Sequence, residues 1–325
     1  MSKDIRKVVV TGGAGFIGSH LSERLVSLGS EVFVIDNFDD YYPKAIKRRN
    51  IESVSKKDGF KLLEGDIRDY NFVMDSFKSV SPDLVVHLAA KAGVRTSIIS
   101  PLLYQEVNVL GTNNILEAMK ELEIKDLLFA SSSSVYGDCP NIPFLEDDLM
   151  AMPISPYGVT KKCCEELCYT YHKLYDLKVL CFRFFTVYGP RQRPDMAIHK
   201  FTRLINNGSK IEVYDQGKGS RDYTYIDDII DGLFGALNLI SSETSPLYEL
   251  INLGESVPVN LLELIELIES GLGRKAEKVM MPRQPGDVKR TFADIEKAKR
   301  LLGYDPNTSM KDGVEKFIEW FRNPW

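Results

Sequence analysis

Short β-branched runs alternate with longer stretches of helical periodicity through the first half of the chain. The runs fall at 7–10, 31–35, 60–63, 83–88, 126–130 and 178–182, and helical stretches such as 16–28, 101–122 and 157–175 lie between them. Short, nearly continuous apolar runs are how strands buried on both faces of a parallel sheet are written, with the helices as crossovers. That order predicts an α/β fold built on a doubly wound parallel sheet. After Gly189 the texture changes: Pro190, Pro194, Gly208, Gly217 and Gly219 break the pattern into short pieces of the kind that carry binding groups. A smaller C-terminal lobe is expected to begin there. Within it, 226–240 reads as a helix returning to the first domain, 259–270 as an amphipathic helix with an acidic outer face, and 317–325 as a helix end anchored by aromatic residues.

Composition agrees with this division. A chain of 325 residues exceeds what one small core usually serves. With 44% hydrophobic and 27% charged residues it is also neither disordered nor collagen-like nor held together by disulfides. Lys plus Arg (41) against Asp plus Glu (46) gives 41 − 46 = −5. With a pI near 5.6 there is no broad basic field, so neither nucleic acid nor a membrane surface is an expected partner. Any anionic ligand must be held by a few aimed cations. No apolar run approaches the ~18 residues of a membrane span, and a long apolar leader is missing, which makes a cytoplasmic location the expectation. Cys139, Cys163, Cys164, Cys168 and Cys181 are odd in number and contain no C-x-x-C. They read as buried or half-buried thiols. His20, His87, His172 and His199 are spread without metal-ligand spacing, so they read as packing or solvated residues and no metal is expected.

Residues 8–18 read V-V-V-T-G-G-A-G-F-I-G, a strand, a glycine turn and the start of a helix. Gly12 suits the tight turn, Gly15 the approach of a pyrophosphate to the helix N-terminus, and Gly18 close packing of helix on strand. Asp36 ends the second run, where its carboxylate can accept hydrogen bonds from the hydroxyls of an adenosine ribose. It would repel a 2′-phosphate, and Asn37, Phe38, Asp39 and Asp40 offer no arginine to reverse that preference, so the expected cofactor is NAD. Asp66, after the third run, is placed either to reach an adenine edge or simply to be solvated.

Residues 155–161 read S-P-Y-G-V-T-K, which sets Tyr157 and Lys161 at i and i+4 on one helix face. A phenol with an ordinary pKa near ~10 is a poor base at neutral pH, and an adjacent ammonium favours its phenolate. The segment A-S-S-S-S-V-Y-G at 130–137 closes another predicted strand, so hydroxyl donors and a base converge on the carboxyl edge of the same sheet as the glycine turn.

In these motifs the chain resembles the extended short-chain dehydrogenase/reductase family, and within it the nucleotide-sugar 4-epimerases. The resemblance spans nearly the whole length: T-G-G-A-G-F-I-G-S-H at 11–20, H-L-A-A at 87–90, N-V-L-G-T at 108–112, S-S-S-S-V-Y-G at 131–137, S-P-Y-G-V-T-K at 155–161, R-F-F-T-V-Y-G-P at 183–190, R-D-Y-T-Y at 221–225 and Q-P-G-D-V at 284–288. It implies a Rossmann-type domain at 1–183, with 226–250 returning to it, and a substrate-binding lobe at 184–225 and 251–325. It also implies Ser132, Tyr157 and Lys161 as the catalytic set. The positions expected to hold the dinucleotide are Gly12, Gly15, Phe16, Ile17, Gly18, Asp36, Asn37, Asp66, Ile67, Leu88, Ala89, Ala90, Asn108, Tyr157 and Lys161. For Asn108 a purely structural role is equally open.

Relatives that dehydrate or decarboxylate their sugar carry an acidic residue just before V-Y-G, where this chain has Ser133 and Ser134. Simple epimerisation is the better match. The segment at 183–197 is similar to that of the UDP-glucuronate 4-epimerases, which implies that Thr186, Ser133 and Ser134 bind a sugar carboxylate. Satisfied polar groups at a strand end remain the alternative. By the same resemblance Arg193 and Arg221 are diphosphate-binding cations. Asp287 would hold the uridine ribose, with the role of neighbouring Arg283 left open. The leading expectation is interconversion of UDP-glucuronate and UDP-galacturonate by a homodimer paired through the helices at 101–122 and 157–175. The alternatives are a UDP-glucose/UDP-galactose 4-epimerase and a catalytically silent NAD-binding regulator.

Overall fold

The computed structural model describes residues 5–284 and 286–324. The first half contains β1 (Lys7–Thr11), α1 (Phe16–Ser27), β2 (Glu31–Asp36), α2 (Lys44–Asn50), β3 (Phe60–Glu64), α3 (Tyr70–Val80) and β4 (Leu84–His87). It continues through α4 (Val94–Ile99), α5 (Pro101–Tyr104), a π-helical stretch (Gln105–Leu110), α6 (Gly111–Glu121), β5 (Asp126–Ser132), α7 (Pro156–Tyr175) and β6 (Lys178–Phe184). The second half is more broken: β7 (Thr186–Tyr188), α8 (Ala197–Asn206), β8 (Ile211–Tyr214), β9 (Ser220–Tyr225), α9 (Ile226–Ser242), β10 (Tyr248–Leu253) and β11 (Pro258–Asn260). It ends with α10 (Leu261–Leu272), β12 (Lys278–Met281), α11 (Glu296–Leu302) and α12 (Met310–Arg322).

Seven strands form the parallel central sheet in the order β10-β6-β5-β4-β1-β2-β3. Every pairing in it is parallel. All six runs expected to be strands are members, and β10, which follows the returning helix α9, adds the seventh. Alternation along the central strands feeds two cores. Val8 and Val10 pack in the larger cluster and Val9 in the other, each fully buried. The direction of winding reverses between β1 and β4, which opens a crevice beyond their carboxyl ends. The broken second half supplies a three-stranded sheet (β11-β9-β7) and a two-stranded one (β12-β8).

Local chemistry fixes where the site-bearing helices begin. Ser155 caps α7 by accepting the Gly158 N–H at 3.1 Å, and Pro156 occupies the first turn. At the other end Asp176 adopts the left-handed conformation, at φ 56°, and stops the helix.

Four expectations need correction. The helix expected at 101–122 is interrupted by the π-helical turn that contains Asn108. The helix expected at 259–270 starts later, because Val259 and Asn260 pair with β9 and the Asn260 side chain caps α10 at the Leu262 N–H, 2.9 Å away. The outer face of α10 is also less acidic than expected: Glu263 and Glu266 are exposed, but Glu269 is buried and takes ion pairs from Lys275 and Lys278. In the aromatic helix end, Phe317 is fully buried, and Trp325 lies outside the described residues. Among the described residues no helix is long and apolar enough to cross a membrane. Four of the five cysteines are buried, whereas Cys163 is exposed on α7, contrary to the expectation for it.

Candidate active site

A cleft of about 780 Å³ opens at the carboxyl edge of the central sheet, within the usual size range of small-molecule sites. The glycine turn forms one wall. Gly12 has φ +70°, and a Cβ there would lie 2.8 Å from the Ala89 nitrogen, so no other residue fits the approach of this turn to β4. A Cβ on Gly15 would meet only the Gly12 carbonyl, at 3.1 Å, leaving the backbone open toward the cleft. The first turn of α1 has neither a side-chain cap nor an acidic residue, so its N–H groups remain available to an anion. This cradle fits a dinucleotide pyrophosphate.

Gly12, Gly15, Phe16, Ile17, Gly18, Asp36, Asn37, Asp66, Ile67, Leu88, Ala89 and Ala90 all line the cleft. The Asp36 carboxylate accepts the Ala14 N–H at 3.1 Å and the Phe38 N–H at 2.9 Å, which aims it at the end of β2. Burial raises its pKa, and the two N–H bonds and the Lys47 charge work against that rise. Asp66 is gripped by Arg68 and by Asn37, and although burial opposes it, the bonds from Arg68 pull its pKa down to about 2.

Asn108 is the exception and corrects the expectation for it. It does not line the cleft: its amide accepts the Lys91 N–H at 2.8 Å and donates to the Lys91 carbonyl and to Thr160 Oγ1, both at 3.0 Å. Its hydrogen-bonding capacity is spent holding the segment after β4 against α7.

Ser132, Tyr157 and Lys161 all line this cleft. Burial raises the Tyr157 phenol pKa, and the influence of Ser132 and the charge of Arg193 act to lower it. The Lys161 ammonium donates to the Ala130 carbonyl at 2.7 Å, and burial lowers its pKa. The ammonium is thus anchored on the β5 backbone beside the phenol's helix. Ser132 Oγ accepts the Ser134 N–H and donates to Ser134 Oγ, each at 3.1 Å, and Ser133, Ser134 and Thr186 line the same cleft.

The far end of the cleft is formed by the broken second half. Arg193 makes a forked pair with Asp195 (3.0 and 2.8 Å), which outweighs the effect of burial and holds its pKa above the ordinary arginine value. Arg221 donates to the Ser220 carbonyl at 2.9 Å, and burial lowers its pKa. Asp287 pairs with Arg95 at 2.9 Å, while Arg283 donates to the Asp287 backbone carbonyl at 3.1 Å through Nε. The Pro285 part of the Q-P-G-D-V segment lies outside the described residues.

Sequence reading missed several cleft residues. Tyr41, Lys47, Lys91, Arg95 and Tyr214 all line it. Cations do stand near Asp36 after all: Lys47 donates to the Asp39 carbonyl at 2.7 Å, and Arg48 lies 3.7 Å from the Phe38 ring centroid while paired to Glu64. They come from α2, outside the short segment that suggested the absence of cations, and a basic stretch alone carries no sign of where it will dock. The histidines are engaged in packing bonds. His87 lies between Thr11 Oγ1 (2.7 Å) and Thr112 Oγ1 (3.0 Å), and burial takes its pKa down to about 3.

A doubly wound sheet, a glycine turn at its switch point, and a tyrosine and lysine one turn apart beside a serine define a short-chain dehydrogenase/reductase architecture. The chain belongs to the extended branch of that class, in the family described as GDP-mannose 4,6 dehydratase, whose model matches residues 9–317. It is 41% identical over 314 residues to a UDP-glucuronate 4-epimerase of Thermodesulfobacterium geofontis, covering 96% of this chain and 95% of that one. It is also similar to the crystal structure of UDP-glucuronic acid 4-epimerase from Bacillus cereus in complex with UDP-glucuronic acid and NAD. That match has a TM-score of 0.90 at 37% identity and covers 98% of this chain and 100% of that one. The UDP-glucose 4-epimerase of Thermus thermophilus in complex with NAD matches with a TM-score of 0.88 at 30% identity, covering 98% and 100%.

Proposed function

We propose that this protein is an NAD-dependent nucleotide-sugar 4-epimerase that interconverts UDP-glucuronate and UDP-galacturonate through a 4-keto sugar. The observation that carries this reading is that Ser133, Ser134 and Thr186 line the same cleft as Ser132 and Tyr157, with no carboxylate immediately before Val135. Neutral donors suit a sugar carboxylate, and the lack of an acid there argues against the dehydration named in the family description.

When bound, NAD supplies reversible acceptance of the hydride from sugar carbon 4. The Gly15 backbone and the first turn of α1 would hold its pyrophosphate, and Asp36 its adenosine ribose. Tyr157 Oη takes the proton of the 4-hydroxyl and gives it back on the opposite face. Ser132 Oγ steadies the reacting oxygen, and Lys161 adds positive charge beneath the phenol. Arg193 and Arg221 grip the diphosphate while the keto sugar turns about its linkage. In this division of labour 1–183 and 226–250 serve the cofactor, and 184–225 and 251–325 serve the sugar nucleotide.

The protein acts as a cytoplasmic homodimer in this reading. Ile99 (80% exposed) at the end of α4, Leu102 (70%) on α5 and Val159 (52%) on α7 are exposed apolar side chains that a second copy would cover. Incubation with single UDP-sugars and no added reductant, followed by separation of products, tests the activity. Turnover of UDP-glucose but not UDP-glucuronate would select the neutral-sugar epimerase, and no turnover of either would select a silent NAD-binding protein.

A further inference from the structure

Beneath the catalytic groups lies a buried ionic junction that none of the steps above uses. Glu165 and Arg183 are each 1% exposed, and Ser131 is 3% exposed. Glu165 Oε1 accepts hydrogen bonds from Ser131 Oγ at 2.5 Å and from Arg183 Nε at 2.9 Å, while Oε2 accepts from Arg183 Nη2 at 2.8 Å. The remaining guanidinium nitrogen donates to the Glu146 carbonyl at 3.0 Å, and the guanidinium carbon lies 4.8 Å from the Tyr136 ring centroid. One carboxylate therefore joins three elements that carry the candidate site. Ser131 precedes Ser132 on β5, Glu165 stands one turn beyond Lys161 on α7, and Arg183 precedes Thr186 by three residues at the end of β6.

Stability alone is a weak account of such a pair, because well-packed apolar side chains can replace a buried ion pair without loss. What apolar contacts do not supply is direction: a carboxylate with three aimed donors sets the spacing of strand, helix and strand at once. We propose that Glu165 and Arg183 are positioning residues, which act through Ser131 to hold Ser132 against Tyr157. This rests on the epimerase reading for its kinetic consequence, and its effect on Tyr157 is independent of that reading. The link to the phenol is short: Ser132 follows Ser131 on β5 and lines the cleft with Tyr157, and its influence lowers the Tyr157 pKa against burial. Loosening Ser131 weakens that influence, and the phenol titrates higher.

The test uses the full-length protein with its bound cofactor. Ser131→Ala removes one buried donor, Ser131→Thr keeps it, and Glu165→Met with Arg183→Leu replaces the pair by apolar volume. Ser131→Ala and the double variant should lower kcat by roughly ten- to a hundredfold, the scale of a small misplacement of reacting groups. KM for UDP-glucuronate should stay within about twofold and melting temperature and cofactor content should be kept, because the substrate and cofactor contacts are untouched. Ser131→Thr should restore most of kcat. Independently of turnover, the Tyr157 ionisation, read as phenolate absorbance relative to Tyr157→Phe, should move to higher pH in Ser131→Ala and return in Ser131→Thr. An unmoved Tyr157 titration, or an apolar double variant with unchanged kcat, overturns the positioning role. If the unmutated protein turns over no UDP-sugar, the epimerase reading fails by itself, and the Tyr157 titration still decides this one.

Discussion

Lys161 and Tyr157 share a face of α7, but the lysine ammonium is directed to the Ala130 carbonyl at 2.7 Å. Burial raises the phenol pKa and lowers that of the ammonium. Positive charge arriving beside the phenol favours its phenolate and so makes it a better base. Tyr157→Phe should therefore abolish turnover, by a factor of ~100 or more, while UDP-sugar binding stays nearly intact. Product assays with calorimetric titration of the inactive variant check both halves, and near-normal turnover would remove Tyr157 from the chemistry.

Asp36 selects the cofactor in this reading. Its carboxylate is fixed by the Ala14 and Phe38 N–H groups and borders the cleft, where ribose hydroxyls satisfy it and a phosphate meets a like charge. Cofactor released from purified protein should be NAD. Asp36→Ser should weaken NAD binding by roughly ten- to a hundredfold, the ~1.5–3 kcal/mol of hydrogen bonds to a charged group. NADP as the main cofactor released would mean that Lys47 and Arg48, rather than Asp36, set the preference.

Those two cations show where sequence reading stops. The central sheet was legible because its strands are short apolar runs whose burial does not depend on a particular partner. The glycine turn and the Tyr157–Lys161 pair were legible because their function requires a fixed spacing along one element. Lys47, Arg95 and the Glu165–Arg183 junction derive their roles from elements far apart in the chain, so no local pattern marks them. Asn108, for which a structural role stood open beside cofactor binding, sits in a π-helical turn that directs its amide to Lys91 and Thr160, a consequence of backbone geometry that helical periodicity does not carry.

A second buried charge cluster predicts how stability depends on pH. Burial, then the charges of Asp228 and Asp222, raises the Glu255 pKa from 4.5 to about 8. Glu255 Oε2, Asp228 Oδ2 and Tyr188 Oη are all buried without a hydrogen-bond partner among the described residues. With the folded pKa above the unfolded one, the stabilising contribution is complete below the unfolded pKa and is lost as pH rises through the folded value near 8. The melting temperature should fall across that interval. Glu255→Gln should flatten the fall and raise Tm at pH 8.5 by roughly 1–2 °C, after discounting for the partial exposure of the side chain. Thermal melts at several pH values check this, and an identical pH profile in the variant would remove Glu255 as the cause.

The last prediction concerns Thr186 and follows from the chemistry of the intermediate. Oxidation of carbon 4 in a glucuronate places a ketone β to the carboxylate on carbon 5. Such an acid loses carbon dioxide when the breaking bond aligns with the carbonyl π system, so an epimerase must hold the carboxylate near the ketone plane. Thr186 opens β7 on one side of the cleft, and Ser133 and Ser134 approach from the turn after β5. Three neutral donors from two elements can fix a carboxylate plane in a way that one cannot. Each hydroxyl bonded to the charged group contributes on the order of 1.5–3 kcal/mol, and Thr186→Val removes one while keeping the side-chain volume. The variant should slow epimerisation of UDP-glucuronate by roughly ten- to a hundredfold. It should also divert a measurable fraction of substrate to a 4-keto-pentose with release of carbon dioxide and accumulation of reduced cofactor, while binding of UDP-glucose changes little. Equal losses on both sugars, with neither carbon dioxide nor reduced cofactor formed, would show that Thr186 does not contact the carboxylate and would move the assignment to the neutral-sugar reaction.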